Sequence, residues 1–212
     1  ARTPLIIAGP AKVSTHMFDK VKPIVAELYH RQYQLMANLL QEAKTTLADP
    51  SATPETIDEA YLKIAKVQLG MPKHKQLMRV MEDPSIRKAL DRKDIELHDD
   101  NNRGYLQRVK ESLFFGISER NSEADLSEKG RQFLRPGDPD AFVIPDLPTI
   151  FSEIDSDQSL DEAAKLEKRK QAQMEYDQKS EIIHNISQLL RAYCLFEKDV
   201  HYVVQDNKVI IV

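Results

Sequence analysis

HYVVQDNKVIIV, residues 201–212, decides how this 212-residue chain is read. Tyr202-Val203-Val204 and Val209-Ile210-Ile211-Val212 are β-branched or aromatic runs, which favour a pleated backbone. Asp206-Asn207 between them is a two-residue turn of residues that tolerate positive φ. The stretch is therefore a β-hairpin. It stops on apolar residues that would leave an exposed sheet edge, which natural proteins avoid. The other end has the same defect, because Leu5-Ile6-Ile7 reads as a strand with no cap before it. Two strand-like ends lead to the expectation of a module set into a longer protein, with its ends forming the stem.

Inward from the stem the pattern turns helical. Gly9-Pro10 closes the first strand, and Ser14 reads as the N-cap of a long helix with apolar positions Phe18, Val21, Val25, Leu28, Leu35, Leu39 and Leu47. Pro23 is tolerable in the first turns and kinks the helix elsewhere. Asp49-Pro50 stops it. Thr53-Pro54-Glu55 then gives an N-cap, a proline in the first turn and an acid at the positive end of the dipole. That helix ends at Gly70. Shorter helices are expected over 75–81 and 85–97, followed by a polar exit, HDDNNRG. From Leu113 the segment LFFGISERNSEADLSEKG reads as strand, turn and strand, with Ser127 capping a helix. Phe142-Val143-Ile144 reads as a short buried run in an irregular, proline-flanked loop. Ser159 and Glu162 form a capping box for the last long helix. Its first half is a solvated face, and its second carries a core stripe of Ile182, Ile186, Leu189, Tyr193 and Phe196.

Composition limits the function. With 30 basic and 34 acidic residues the net charge is −4, so nucleic acid is not the expected partner. The single cysteine, Cys194, excludes an internal disulfide framework and fits a reducing compartment. No apolar run reaches membrane-spanning length and no signal-peptide pattern opens the chain. There is no GxxxxGK[ST] loop and no GxGxxG, so the stretch brings no nucleotide cradle.

Two motifs invite a metal reading. Glu27-Leu-Tyr-His30 and Glu181-Ile-Ile-His184 are Glu-x-x-His pairs on long helices, half of what a di-iron bundle site needs. Glu59 and Glu96 are the candidates for the remaining ligands. Solvated charge on amphipathic helices is the preferred reading of both pairs. Cys194 reads as a small buried hydrophobe with no neighbouring histidine in sequence to activate it. The Asp99–Asn102 run lacks the spacing of a calcium loop. The stem strands remain. They either tether the module or add an extended peptide as a further strand, and the residues alone leave both readings open.

The opening ARTPLIIAGPA and the closing LLRAYCLFEKDVHYVVQDNKVIIV resemble the boundaries of the preprotein cross-linking domain of SecA, the bacterial protein-translocation ATPase. Ala1 and Arg2 match the tail of that family's Asp-Glu-Ala-Arg motif. The segment 114–130 resembles its internal hairpin and following helix. Residues 30–112 depart from the shorter form and resemble a helical insertion carried by some lineages.

The resemblance implies an α+β domain. Its parts are an antiparallel two- to three-stranded stem (1–10 and 200–212), a helical insertion (about 30–112) and a small α+β body (about 113–199). It implies a clamp that closes on unfolded preproteins and signal peptides, working with the SecYEG channel and an anionic membrane surface. The location implied is the cytoplasm and the cytoplasmic face of the inner membrane. ATP and magnesium belong to the full-length protein, and no cofactor or catalytic residue is expected in this stretch. By position, Ile6, Ile7 and Ala8 on one strand, with Tyr202, Val203, Val209 and Ile211 on the other side, match the stem that pairs with preprotein. The alternatives are a helical di-iron protein and a structural spacer whose stem binds nothing.

Overall fold

The computed structural model describes residues 11–212. Helix α1 (Ala11–Ala48) and α2 (Pro54–Gly70) are joined by a five-residue turn, and they pack together along the side of α1 that carries Met36, Leu40 and Ala43. The Thr53 side chain accepts the Thr56 N–H at 3.2 Å, so α2 starts where its cap demands. Short α3 (Lys75–Val80) and α4 (Pro84–Leu97) follow, then a 3-10 turn over Asp100–Asn102 and α5 (Arg103–Glu111). Strands β1 (Phe115–Ser118) and β2 (Glu123–Leu126) form an antiparallel pair with Phe115 opposite Leu126. Helices α6 (Glu128–Leu134), α7 (Leu147–Ser156) and α8 (Glu162–Leu195) lead to the closing strands β3 (Tyr202–Gln205) and β4 (Lys208–Ile211). The class is α+β, as the sequence indicated.

Helix α1 is the spine. It packs on α2 along one side and on α8 along another. Core residues from both sides of residue 113 join in one cluster, including Leu28, Met36, Ile64, Phe115, Ile186 and Leu190. The helical region and the α+β body therefore share one interior. Burial of this kind stabilises by roughly 25 cal/mol per Å² of apolar surface removed from water.

One polar residue holds the centre. Gln32 on α1 is fully buried. Its Nε2 donates to the Gly70 carbonyl at 3.1 Å and the Phe115 carbonyl at 2.7 Å. Its Oε1 accepts the N–H groups of Phe114 at 2.8 Å and Phe115 at 3.1 Å. Both backbone groups of Phe115 face away from β2, so the Gln32 carboxamide does for the outer edge of β1 what a third strand would do. A Cβ at Gly70 would lie 2.9 Å from Gln32 Nε2, so the end of α2 must be glycine for the amide to reach.

Several expectations are corrected. Helix α1 already runs from Ala11, the first described residue, so Ser14 lies inside it, and Pro23 sits in the helix interior. The polar exit after α4 runs straight into α5, which buries Val109 on its inner face. Asp161, not Ser159, caps α8, accepting the Ala164 N–H at 2.7 Å, while Ser159 is held by Asp157. The proline-flanked loop contains α7. Asp146 accepts the Thr149 N–H and Pro148 fits the first turn, where no backbone donor is needed. Val143 and Ile144 are 43% and 48% exposed, so the expected buried run is a surface segment. Phe142, by contrast, is half-buried and packs against the core.

Candidate functional site

The closing hairpin stands at the end of α8 and none of its strand residues is buried. Asp206 and Asn207 have φ of 50° and 58°, which identifies a type I′ turn. Such a turn fixes register: Gln205 faces Lys208, Val204 faces Val209, Val203 faces Ile210, and Tyr202 faces Ile211. Antiparallel ladders alternate between pairs that exchange backbone hydrogen bonds and pairs that do not. The two-residue turn makes Gln205–Lys208 a bonded pair, so Val203–Ile210 is bonded as well. The Val212 N–H donating to the His201 carbonyl at 3.1 Å continues that alternation. Tyr202, Val204, Val209 and Ile211 consequently turn their backbone groups outward. The Tyr202 carbonyl already accepts the Asp199 N–H at 2.6 Å.

Tyr202, Val209 and Ile211 thus lie on outer edges, while Val203 spends its backbone inside the ladder. Sequence reasoning missed Val204, which is 46% exposed and turns both backbone groups outward. Its signal was the two-residue turn, from which the alternation can be counted. Val209 and Ile210 are 53% and 45% exposed, so both hairpin faces are apolar and uncovered among the described residues. Ile6, Ile7 and Ala8 lie outside the described residues.

The root of the hairpin is rigidly made. The His201 N–H donates to the Glu197 carbonyl at 2.9 Å, and the Glu197 N–H donates to His201 Nδ1 at 3.0 Å. The Phe196 ring meets His201 edge-on at 5.6 Å. Asp199, at φ 67°, reverses the chain between them.

The metal alternative gains no support. Glu27, His30 and His184 are exposed, Glu59 is exposed, and Glu96 is bonded to Lys93 at 3.1 Å. Among the described residues no three His, Cys, Asp or Glu side chains lie close enough to share a metal ion. Burial opposes a charge on Lys93, but its bonds to Asp58 and Glu96 outweigh that and hold its pKa above the usual lysine value. Burial pushes the Cys194 thiol up to about 12, the opposite of what a nucleophile needs. No helix among the described residues is long and apolar enough to cross a membrane.

Comparison with known proteins gives a consistent result. The family model for the SecA preprotein cross-linking domain matches residues 93–212. The chain is 37% identical over 216 aligned positions to a protein translocase subunit SecA of Chloroherpeton thalassium, covering all of this chain and 21% of the relative. It is also 37% identical to the corresponding subunit of Amoebophilus asiaticus, covering 19% of it, and to that of Chlorobium phaeobacteroides, covering 20%. The chain spans about a fifth of the length of the curated relatives it matches. No solved structure matches.

Proposed function

The chain belongs to the SecA preprotein cross-linking domain family, and from that premise we propose that it is the polypeptide-holding limb of an ATP-driven protein translocase. The observation that carries the reading is the hairpin, with exposed apolar faces and outward-turned backbone groups at Val204, Val209 and Ile211, the Tyr202 carbonyl being held by Asp199. An extended preprotein or signal peptide adds there as a further strand. Backbone pairing suits a translocase because it holds a chain without reading its side chains. Ile6, Ile7 and Ala8 are further preprotein contacts in this proposal, and Val203 supports them from inside the β3–β4 ladder. Residues 30–112 are the lineage's helical insertion, set against the body through Gln32.

The grip of the limb alone is weak. A few strand hydrogen bonds are worth about 0.5–1.5 kcal/mol each, net. Association and ordering cost roughly 4 kcal/mol or more. Enclosure by the rest of the motor supplies the remaining hold, and ATP with magnesium is bound and turned over in that remainder. The whole protein works in the cytoplasm and at the cytoplasmic face of the inner membrane, against anionic lipid and the SecYEG channel.

Proline scanning tests the reading. Val204→Pro and Val209→Pro each remove an outward N–H while sparing the inner ladder. Each is expected to weaken binding of an unfolded preprotein at least fivefold with the hairpin intact by NMR. A photoreactive residue in place of Tyr202 is expected to cross-link to the same preprotein. Unchanged binding in both proline variants, with no cross-link at Tyr202, would favour the spacer that binds nothing.

A further inference from the structure

A cleft of about 300 Å³ opens beside the root of the hairpin, between α1, the α2–α3 connection and the end of α8. Its wall is aromatic: Tyr29 and Tyr33 from α1, Tyr193 from α8, and Phe196 just beyond α8. Tyr29 stacks on Tyr193 with ring centres 5.1 Å apart, and Tyr33 stacks on His74 at 4.3 Å. All four Tyr and Phe rings remain only partly buried. A settled core would cover such rings, so their shared concavity has the character of a receiving surface.

The surroundings select the guest. Lys73 and Lys75 line the cleft and repel a cation, so the ring faces do not serve as a cage for an ammonium or guanidinium group. Glu197 lines it too, so the rim carries both signs and does not select for a charged guest. His74 is 3% exposed, and its Nδ1 accepts the Gln76 N–H at 3.2 Å, which leaves the proton on Nε2 and the ring neutral. Burial, only partly offset by the Tyr33 backbone, holds its pKa below the usual histidine value. A neutral ring is the guest that fits. Aromatic pairs at ring separations of roughly 4.5–7 Å are favourable beyond the area they bury. The volume lies at the small end of ligand pockets, roughly 300–1,000 Å³, which suits one large side chain and not a cofactor.

Position supplies the partner. Phe196 forms part of the cleft and touches His201, the residue before β3. The Lys198–Asp199 segment occupies the edge at Tyr202, so a chain paired at Val204 leaves β3 there and turns towards Phe196 and the cleft, at about 3.3 Å of extended chain per residue. We propose that this cleft receives an aromatic side chain of the same extended polypeptide that pairs with the hairpin. The domain then reads one side chain at each grip, in addition to backbone. This rests on the hairpin reading above.

The protein supplies two reporters. It has no tryptophan, so a peptide with a single Trp reports its own surroundings, and its one cysteine, Cys194, lines the cleft. The 212-residue chain is titrated with an unstructured ten-residue peptide carrying one central Trp, and with the same peptide carrying Ser there, by competition. The Trp peptide is expected to bind at least tenfold tighter, with blue-shifted emission. At saturation it is expected to slow alkylation of Cys194 at pH 9 at least fivefold, which the Ser peptide does not do. Tyr193→Ala is expected to abolish the difference between the peptides, and Val204→Pro to weaken both. Equal affinities with Cys194 unprotected would overturn the side-chain pocket while leaving the hairpin reading in place. Trp-peptide binding that Tyr193→Ala abolishes but Val204→Pro leaves untouched would overturn the shared-polypeptide proposal. Binding of both peptides that ignores Val204→Pro would overturn the hairpin reading itself.

Discussion

Gln32→Leu keeps the volume of a buried side chain and deletes its amide, and this substitution tests the centre of the fold. Four hydrogen bonds disappear: those to the Gly70 and Phe115 carbonyls and those from the Phe114 and Phe115 N–H groups. No water reaches the site, since Gln32 and Phe115 are both 0% exposed. At about 0.5–1.5 kcal/mol net per bond, the loss is about 2–6 kcal/mol. A domain's whole stability is only about 5–15 kcal/mol. Urea unfolding followed by far-UV circular dichroism is the assay. With a slope of about 2 kcal/mol per M, the midpoint falls by about 1 M or more. Gln32→Glu sharpens the test through its pH dependence. A carboxylate there would face two carbonyls in a buried site, so the folded state holds the new acid's pKa above the ordinary glutamate value. The folded form then binds the proton more tightly than the unfolded form. The variant's deficit is smallest below the ordinary glutamate pKa and grows as pH rises towards the folded pKa. A Gln32→Leu loss under 1 kcal/mol, or a Gln32→Glu deficit that shrinks as pH rises, would refute the idea that this amide closes the edge of β1.

Three further outcomes follow from the geometry. A Cβ at Gly130 would collide with the Phe114 carbonyl oxygen, which also accepts from Ser127; Gly130→Ala should destabilise by about 1–3 kcal/mol in the same urea assay. With the Cys194 thiol pushed up to about 12, its alkylation at pH 8 should run about a thousandfold slower than that of an exposed thiol and rise about tenfold per pH unit up to pH 11. Asn207 sits at φ 58°, so Asn207→Gly should hold or raise the hairpin's NMR-detected population, while Asn207→Val should lower it by about 1–2 kcal/mol.

The local chemistry of the chain was legible before any coordinates. Asp206-Asn207 dictated a two-residue turn, Thr53-Pro54 a helix start, and Ser127 a helix cap, which accepts the Gly130 N–H. In each case the partner lies within a few residues, so the sequence carries the whole interaction. Helices α5 and α7 escaped because their signals are mixed: α5 is largely polar on its surface, and α7 opens inside a run of prolines. The di-iron alternative could be raised from sequence, and gained no support from the fold, because helical spacing says which residues share a face but not whether that face looks inward. Gln32 reads in sequence as one more polar residue of α1. Only packing shows that it bonds Phe115, 83 positions away. The aromatic cleft is likewise assembled from Tyr29, Tyr33, His74, Tyr193 and Phe196, which the sequence scatters over three segments. Turns and caps are short-range energies written into neighbouring residues, whereas the buried amide and the cleft exist only once distant segments have been brought together by the apolar core.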